Sequence, residues 1–310
     1  MKRAFVFPGQ GSQYGGMGKE LFDTCPQARA TFEEADERLG FALSQLCFEG
    51  PEEKLRLTEH TQPAILTTSV AAFRCLQTHG VEFHFVAGHS LGEYSAVVAA
   101  GGLNFGDAVE TVRARGRLMQ QAVSVGQGAM AAILGLDQRD IEKICREVEL
   151  ETRECVAAAN INSPAQIVIA GSVSGVAAAG QRCKQAGARR VIDLTVSAPF
   201  HCAMMKPAQD RLEGILEDLD FQDLQVSLIN NVDAAEVRTG ALVRDGLVRQ
   251  VSAAVRWLDC VRVLLDAGVS EFVEIGPGTV LAGLIRKTDP AVSVVSIEKP
   301  EQMVNYVAAN

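Results

Sequence analysis

Short runs of consecutive apolar residues alternate along the chain with longer stretches of helical period. Residues 4–7, AFVF, are four apolar positions in a row, closed by Pro8 and Gly9. That is the mark of a strand buried on both faces. A glycine-rich loop follows, then a helix from about Met17. Residues 62–78 read as a helix, 83–87 (FHFVA) as a strand, 91–101 and 105–122 as two more helices. Late in the chain, 271–275 (EFVEI) is a strand, followed by Gly-Pro-Gly and a helix through Lys287. Strands that alternate with helices predict an α/β fold, a mostly parallel sheet with helices on both faces.

Between about 126 and 196 the rhythm changes. GAMAAILGL, CVAAAN, QIVIAG and RRVIDLTV read as strands, with helices at 137–149 and 173–186 and a turn at NSPA. The order is βαββαβ, the ferredoxin-like split pattern. The expected organisation is a core made of 1–124 and 198–310, with a ferredoxin-like subdomain, 125–197, inserted into it. A groove between two such lobes is a common place for a ligand.

Composition narrows the picture. The 310 residues allow one large domain or two ordinary ones, and 47% hydrophobic residues suffice for a sizeable core. No window approaches the roughly 18 uncharged apolar residues of a membrane-spanning helix. The opening MKRAFVFPGQGSQ has an apolar run of only about five residues, too short for a signal peptide, so a cytoplasmic protein is expected. A net charge of −9 argues against nucleic-acid binding and against a basic membrane-surface protein. The eight cysteines are scattered without a CxxC pair, so neither a disulfide framework nor a zinc site is expected. Cys202, beside His201, reads as a packed thiol.

The chemistry begins at VAGHSLGEYSA, residues 86–96. GxSxG between a strand and a helix puts Ser90 on a tight turn with its hydroxyl above the sheet edge. The following helix start lets the Leu91 N–H face an oxyanion. Of the five histidines, His60, His79 and His84 lie in helix-end or loop-like surroundings, and His89 is on the wrong side of the turn. His201 follows a strand and precedes a helix, where an imidazole can reach another strand's elbow as general base. The loop VFPGQGSQYGGMG fails both phosphate-loop patterns: Tyr14 stands where GxGxxG needs its third glycine, and Gln13 and Glu20 break the P-loop. It can instead supply the second N–H of an oxyanion hole.

Arg115 is out of place in a helix of this pattern. At about 100° per residue, Ala108, Val112, Arg115 and Met119 share the apolar stripe, while Arg113 and Arg117 fall opposite. An inward arginine needs a partner. Periodicity leaves two open: a buried ion pair with an Asp or Glu, or the carboxylate of a substrate held by the guanidinium fork.

Taken in order, GQGSQ, GHSLGEYSA, RARGRLMQ, NINSPAQIVIAG, SAPFHCAMMKPA, VRQVSAAVRW and EIGPGTVLAGLIRK resemble the malonyl-CoA:acyl carrier protein transacylase family, from residue 4 to about 290. The resemblance implies an α/β-hydrolase-like core with a ferredoxin-like insertion. It implies that Ser90 is acylated, that His201 is its base and that the backbone carbonyl of Gln250 orients the imidazole in place of an acid. It further implies an oxyanion hole from the N–H groups of Gln10 and Leu91, and Arg115 on the malonyl carboxylate. The expected activity is ping-pong malonyl transfer from malonyl-CoA to the phosphopantetheine thiol of holo-acyl carrier protein, with no metal and no cofactor of the enzyme's own. Fatty acid synthesis is the expected pathway and polyketide synthesis the open alternative. Two other readings stand beside it: a serine hydrolase on the same machinery with water as acceptor, which Arg115 on the apolar face weakens, and a non-catalytic binding module, which an intact Ser90/His201 pair disfavours. Acyl carrier proteins are acidic and so is this chain. Docking therefore calls for a local basic patch, with Arg189/Arg190 and Arg286/Lys287 as candidates.

Overall fold

The computed structural model describes residues 2–196 and 198–309. Met1, Asn310 and Ser197, the first residue of SAPFH and the last of the expected insertion, lie outside the described residues. The strands are β1 (Lys2–Phe7), β2 (Phe85–Gly88), β3 (Gly128–Leu134), β4 (Val156–Ser163), β5 (Gln166–Ser172), β6 (Arg190–Asp193), β7 (Ser227–Ile229), β8 (Glu236–Val237), β9 (Val269–Ile275) and β10 (Ser293–Ile297).

They form two sheets. The larger has the order β10-β9-β1-β2-β7-β8, parallel except for the β7–β8 pair. The smaller has the order β4-β5-β3-β6 and is antiparallel throughout, the ferredoxin-like arrangement that the βαββαβ pattern predicts. β1 lies inside the larger sheet, which is why AFVF does not alternate: Phe5 and Phe7 pack on one face, Ala4 and Val6 on the other, all essentially fully buried. A third apolar cluster, with Ile133, Ile144 and Ile169 among its members, lies under the smaller sheet.

The two sheets are spliced at one point. Val255, in the loop after the helix Gly240–Gln250, pairs with Asn160 of β4: Val255 N–H donates to Ala159 O at 2.9 Å and Ile161 N–H donates to Val255 O at 2.9 Å.

Three local departures from the sequence reading have identifiable causes. The helix expected from Met17 is broken into Lys19–Thr24, Pro26–Leu39 and Leu43–Glu49. Pro26 opens the second piece, and Gly40, at φ 69°, closes it in the left-handed cap that favours glycine. The helix expected from 62 begins at Thr58, with Pro63 inside it. So near the helix start, Pro63 forfeits only the bond to Glu59 O. The expectation of no disulfides is corrected at one pair: Cys25 and Cys75 are bonded, 50 residues apart in sequence. Cys25 sits at the junction of two helices and Cys75 on the helix Thr58–Gln77, a proximity made by packing that spacing rules cannot see. Cys202 is buried, its thiol donating to Pro199 O at 3.1 Å.

Among the described residues, no helix is long and apolar enough to cross a membrane.

Candidate active site

The site starts from contacts that only glycine allows. A Cβ on Gly88 would lie 2.0 Å from the Gly92 backbone, and one on Gly92 would lie 2.1 Å from the Phe7 carbonyl oxygen. These two glycines let β2 turn straight into the helix Gly92–Ala99 while that helix presses on the end of β1. Between them Ser90 takes φ 53°, a left-handed conformation a serine adopts only when its surroundings impose it. Asn231, just past the end of the neighbouring strand β7, imposes it. Its Oδ1 accepts the Ser90 N–H at 2.8 Å and its Nδ2 donates to Gly88 O at 2.7 Å. Ser90 thus stands beyond the carboxyl ends of the parallel strands, where open α/β sheets place their ligands.

His201 reaches it from another part of the chain. The residue is 4% exposed and also has a left-handed backbone, φ 60°. His201 Nδ1 lies 2.9 Å from Gln250 O and Nε2 lies 2.7 Å from Ser90 Oγ. A carbonyl oxygen can only accept, so Nδ1 carries the proton and Nε2 offers its lone pair to the serine hydroxyl. Burial, and then the charge of Arg115, push the imidazole down to about 3 from its usual 6.5.

Arg115 is 1% exposed and sits on the inner stripe of the helix Phe105–Gln121, with Ala108, Val112 and Met119 buried beside it. Its Nη1 donates to Gln62 Oε1 at 2.7 Å, and its Nη2 to Gln250 Oε1 at 2.9 Å and to Ser90 Oγ at 3.0 Å. Nε is buried without a partner. All three acceptors are neutral, and none of the ion pairs among the described residues includes Arg115. Of the two partners periodicity left open, the internal carboxylate is therefore not the one found. Gly116 makes the approach to Gln62 possible: a Cβ there would meet Thr58 O at 2.6 Å, on the helix that carries Gln62.

The hydroxyl opens into a cleft of about 130 Å³. Gln10 and Leu91 line it on one side, Met119 and Phe200 on another, and Met130, Asn160, Leu194 and Val196 close it from the smaller sheet and the segment after β6. Gly9 approaches so closely that a Cβ would lie 2.4 Å from His89 O, which brings the GQGSQ loop against the elbow. The backbone N–H groups of Gln10 and Leu91 have no acceptor among the described residues, and both residues border the cleft. His89 also borders the cleft, but its Nε2 is engaged elsewhere, 2.9 Å from Asn162 Oδ1.

Of the six residues singled out in the sequence, Ser90, His201, Arg115, Gln10 and Leu91 line one cleft, and Gln250 is buried behind them, bonded to His201 and to Arg115. Gln62, Glu93 and Asn231 were not singled out. Each is a polar residue no more than 2% exposed, but each has other polar residues close by in the sequence, so no apolar stripe displays it as one displays Arg115. The arrangement provides an activated hydroxyl, two free N–H donors, and a buried cation with no anion of its own. No group of His, Cys, Asp or Glu among the described residues could hold a metal ion.

The model of the acyl transferase domain matches residues 4–302 of this chain. The chain is 47% identical over 300 residues to the malonyl CoA-acyl carrier protein transacylase of Bacillus subtilis (strain 168), covering 97% of this chain and 94% of that protein. It is 46% identical over 301 residues to the protein of the same name from Escherichia coli (strain K12), covering 97% of each. Among solved structures it superimposes on the malonyl CoA-acyl carrier protein transacylase of Coxiella burnetii with a TM-score of 0.96 at 40% identity, covering 99% of this chain and 97% of that one. It also matches a malonyl-transacylase solved in complex with a holo type II PKS acyl-carrier protein, with a TM-score of 0.97 at 43% identity and full coverage of both chains.

Proposed function

The chain belongs to the acyl transferase family, and from that membership and the chemistry of its cleft we propose that it transfers malonyl groups from malonyl-CoA to the phosphopantetheine thiol of acyl carrier protein. The observation that carries the choice of acyl group is Arg115. A buried guanidinium with only neutral partners, bonded to the nucleophile itself, is a receptor for a carboxylate one methylene away from the carbonyl under attack.

The geometry supports a two-step reaction. His201 Nε2 takes the Ser90 proton as Oγ attacks the thioester carbon, and the Gln250 carbonyl stabilises the imidazolium that forms. The N–H groups of Gln10 and Leu91 receive the oxyanion. The C–S bond breaks, CoA leaves with the proton from His201, and malonyl-Ser90 remains. The thiol of the carrier protein then gives its proton to His201 and attacks the ester. The oxyanion collapses and Ser90 is released with its proton restored. Arg115 holds the malonyl carboxylate through both halves.

The enzyme carries no cofactor in this scheme, since phosphopantetheine comes with the partner. The same reading carries the cytoplasmic location and the fatty acid pathway expected from the sequence. A malonyl-CoA assay with and without holo-acyl carrier protein tests it. Malonyl-carrier protein should form, with little free malonate in its absence. Release of malonate at the same rate with or without the carrier would make the protein a hydrolase instead.

A further inference from the structure

Behind the nucleophile, on the side away from the cleft, lies a buried carboxylate that the scheme above does not use. Glu93 is 0% exposed and begins the second residue of the helix Gly92–Ala99. Its Oε2 accepts the Asn231 N–H at 3.0 Å and the Gln250 Nε2 at 2.8 Å, while Oε1 is buried without a partner. Gln250 Nε2 also donates to Ser90 O at 3.0 Å and approaches Asn231 Oδ1 at 3.3 Å. On its other side, Gln250 Oε1 accepts from Arg115 Nη2 at 2.9 Å.

The Gln250 amide is therefore surrounded by acceptors at its nitrogen and a cation at its oxygen. Turned over, it would set its carbonyl oxygen against three oxygens and its NH2 against the guanidinium. We propose that Glu93 is a positioning residue that fixes the sense of the Gln250 amide, and through it holds Arg115 in the pose that receives the acyl carboxylate. Glu93 takes the shortest of the three nitrogen contacts, 2.8 Å against 3.0 Å and 3.3 Å. A neutral cavity wall in its place leaves the amide held only by the two longer contacts. The Gln250 oxygen then stops presenting a fixed acceptor to Arg115, and the guanidinium loses the anchor that keeps Nη2 beside Ser90 Oγ.

This inference rests on Arg115 being the carboxylate receptor, so the readout is the malonyl-to-acetyl ratio of kcat/KM for acylation of the enzyme. Glu93→Leu, close in shape but unable to accept, should lower that ratio at least tenfold, through KM for malonyl-CoA. Glu93→Gln, which still offers an amide oxygen to the same two donors, should keep the ratio within about threefold of the wild type. Gln250→Met, which retains the backbone carbonyl on His201, should lower the ratio as Glu93→Leu does, and decides the matter if Glu93→Leu does not fold. In an Arg115→Ala background, Glu93→Leu should have no further effect on the ratio, because the two act on one pathway. A ratio unchanged in Glu93→Leu or Gln250→Met, or equal losses toward both acyl groups, overturns the proposal, as does a Glu93→Gln protein that loses selectivity. A wild-type enzyme with no malonyl preference would instead overturn the role of Arg115 on which the proposal stands.

Discussion

Arg115 Nη2 lies 3.0 Å from Ser90 Oγ, so the guanidinium proposed to select the acyl group and the hydroxyl proposed to carry it are hydrogen-bonded to each other. The bond also explains why Arg115 lowers the His201 pKa: the two converge on one oxygen from different elements.

The strongest consequence is for selectivity. Malonyl-CoA brings a negative charge into a largely dry site, and Arg115→Ala leaves it unpaired. The cost of an unmatched buried charge is about 3–5 kcal/mol, or roughly two to four decades in kcat/KM. Acetyl-CoA avoids that penalty and should react no worse. Arg115→Lys should be intermediate at best, since an ammonium lacks the planar two-bond fork. An unchanged malonyl-to-acetyl ratio in folded Arg115→Ala protein would remove Arg115 from the substrate site.

Incubation with malonyl-CoA alone should add one malonyl group, on Ser90. Intact-mass spectrometry that finds the same adduct on Ser90→Ala would refute the assignment. His201→Ala should slow both half-reactions by roughly 10²–10⁴-fold, the usual scale of general acid–base catalysis.

The pH dependence has a definite sign. With His201 held neutral down to about 3, kcat/KM for acylation should show no acid limb centred on 6.5 between pH 5 and 8. Because the unfolded chain binds a proton on this residue below about 6.5 and the folded one does not, His201 lowers folding stability as pH falls from there towards 3. Removing the neighbouring cation in Arg115→Ala should raise the His201 titration midpoint, followed by NMR. A wild-type midpoint near 6.5 would contradict the buried, neutral base.

Glu93 has the opposite linkage. Burial raises its pKa from 4.5 to about 7, so the folded state holds a proton the unfolded chain has already released, and stability declines as pH rises across that interval. At about 1.4 kcal/mol per pKa unit, the loss is on the order of 3 kcal/mol. Glu274, also raised to about 7 by burial, contributes a parallel decline. Glu93→Gln should therefore flatten, without abolishing, the fall in denaturation midpoint between pH 5 and 8. An identical slope in the variant and the wild type would show that Glu93 does not titrate there.

Docking of an acidic carrier needs local positive charge on a chain of net charge −9. Arg189 and Arg190 are exposed at the start of edge strand β6, whose continuation, Leu194 and Val196, lines the cleft. Arg286 and Lys287 are exposed too, on the helix Val280–Thr288, which contributes no residue to the cleft. Reversing the charge of Arg189 and Arg190 should raise KM for acyl carrier protein while self-malonylation persists. Equal loss of both would point to misfolding.

Motifs whose chemistry is local were readable in the sequence. GxSxG between an apolar run and a helix contains its own explanation in the contacts of Gly88 and Gly92, and the stripe of Ala108, Val112 and Met119 displayed Arg115 as the one charged residue facing inward. The βαββαβ order likewise shows in periodicity alone. What stayed hidden depends on contacts between distant segments. Asn231 and Ser90 are 141 residues apart and Gln250 and Glu93 157, and no spacing rule links them. The role of the Gln250 carbonyl was accessible only through family resemblance, since a backbone group leaves no mark on residue type. The Cys25–Cys75 bond was missed for the same reason of distance.

The splice at Val255 has a mechanical consequence. Its two hydrogen bonds fasten β4, and with it the cleft-lining Asn160, to the segment that begins at Gln250, whose carbonyl aims the His201 ring. A hinge that swung the smaller sheet outward to widen the entrance would drag that segment along and turn the imidazole off the serine. Cleft width and base alignment are thus one degree of freedom rather than two. With that frame fixed, the adjustable walls of the entrance are the side chains of Met119, Met130 and Phe200, which line the cleft.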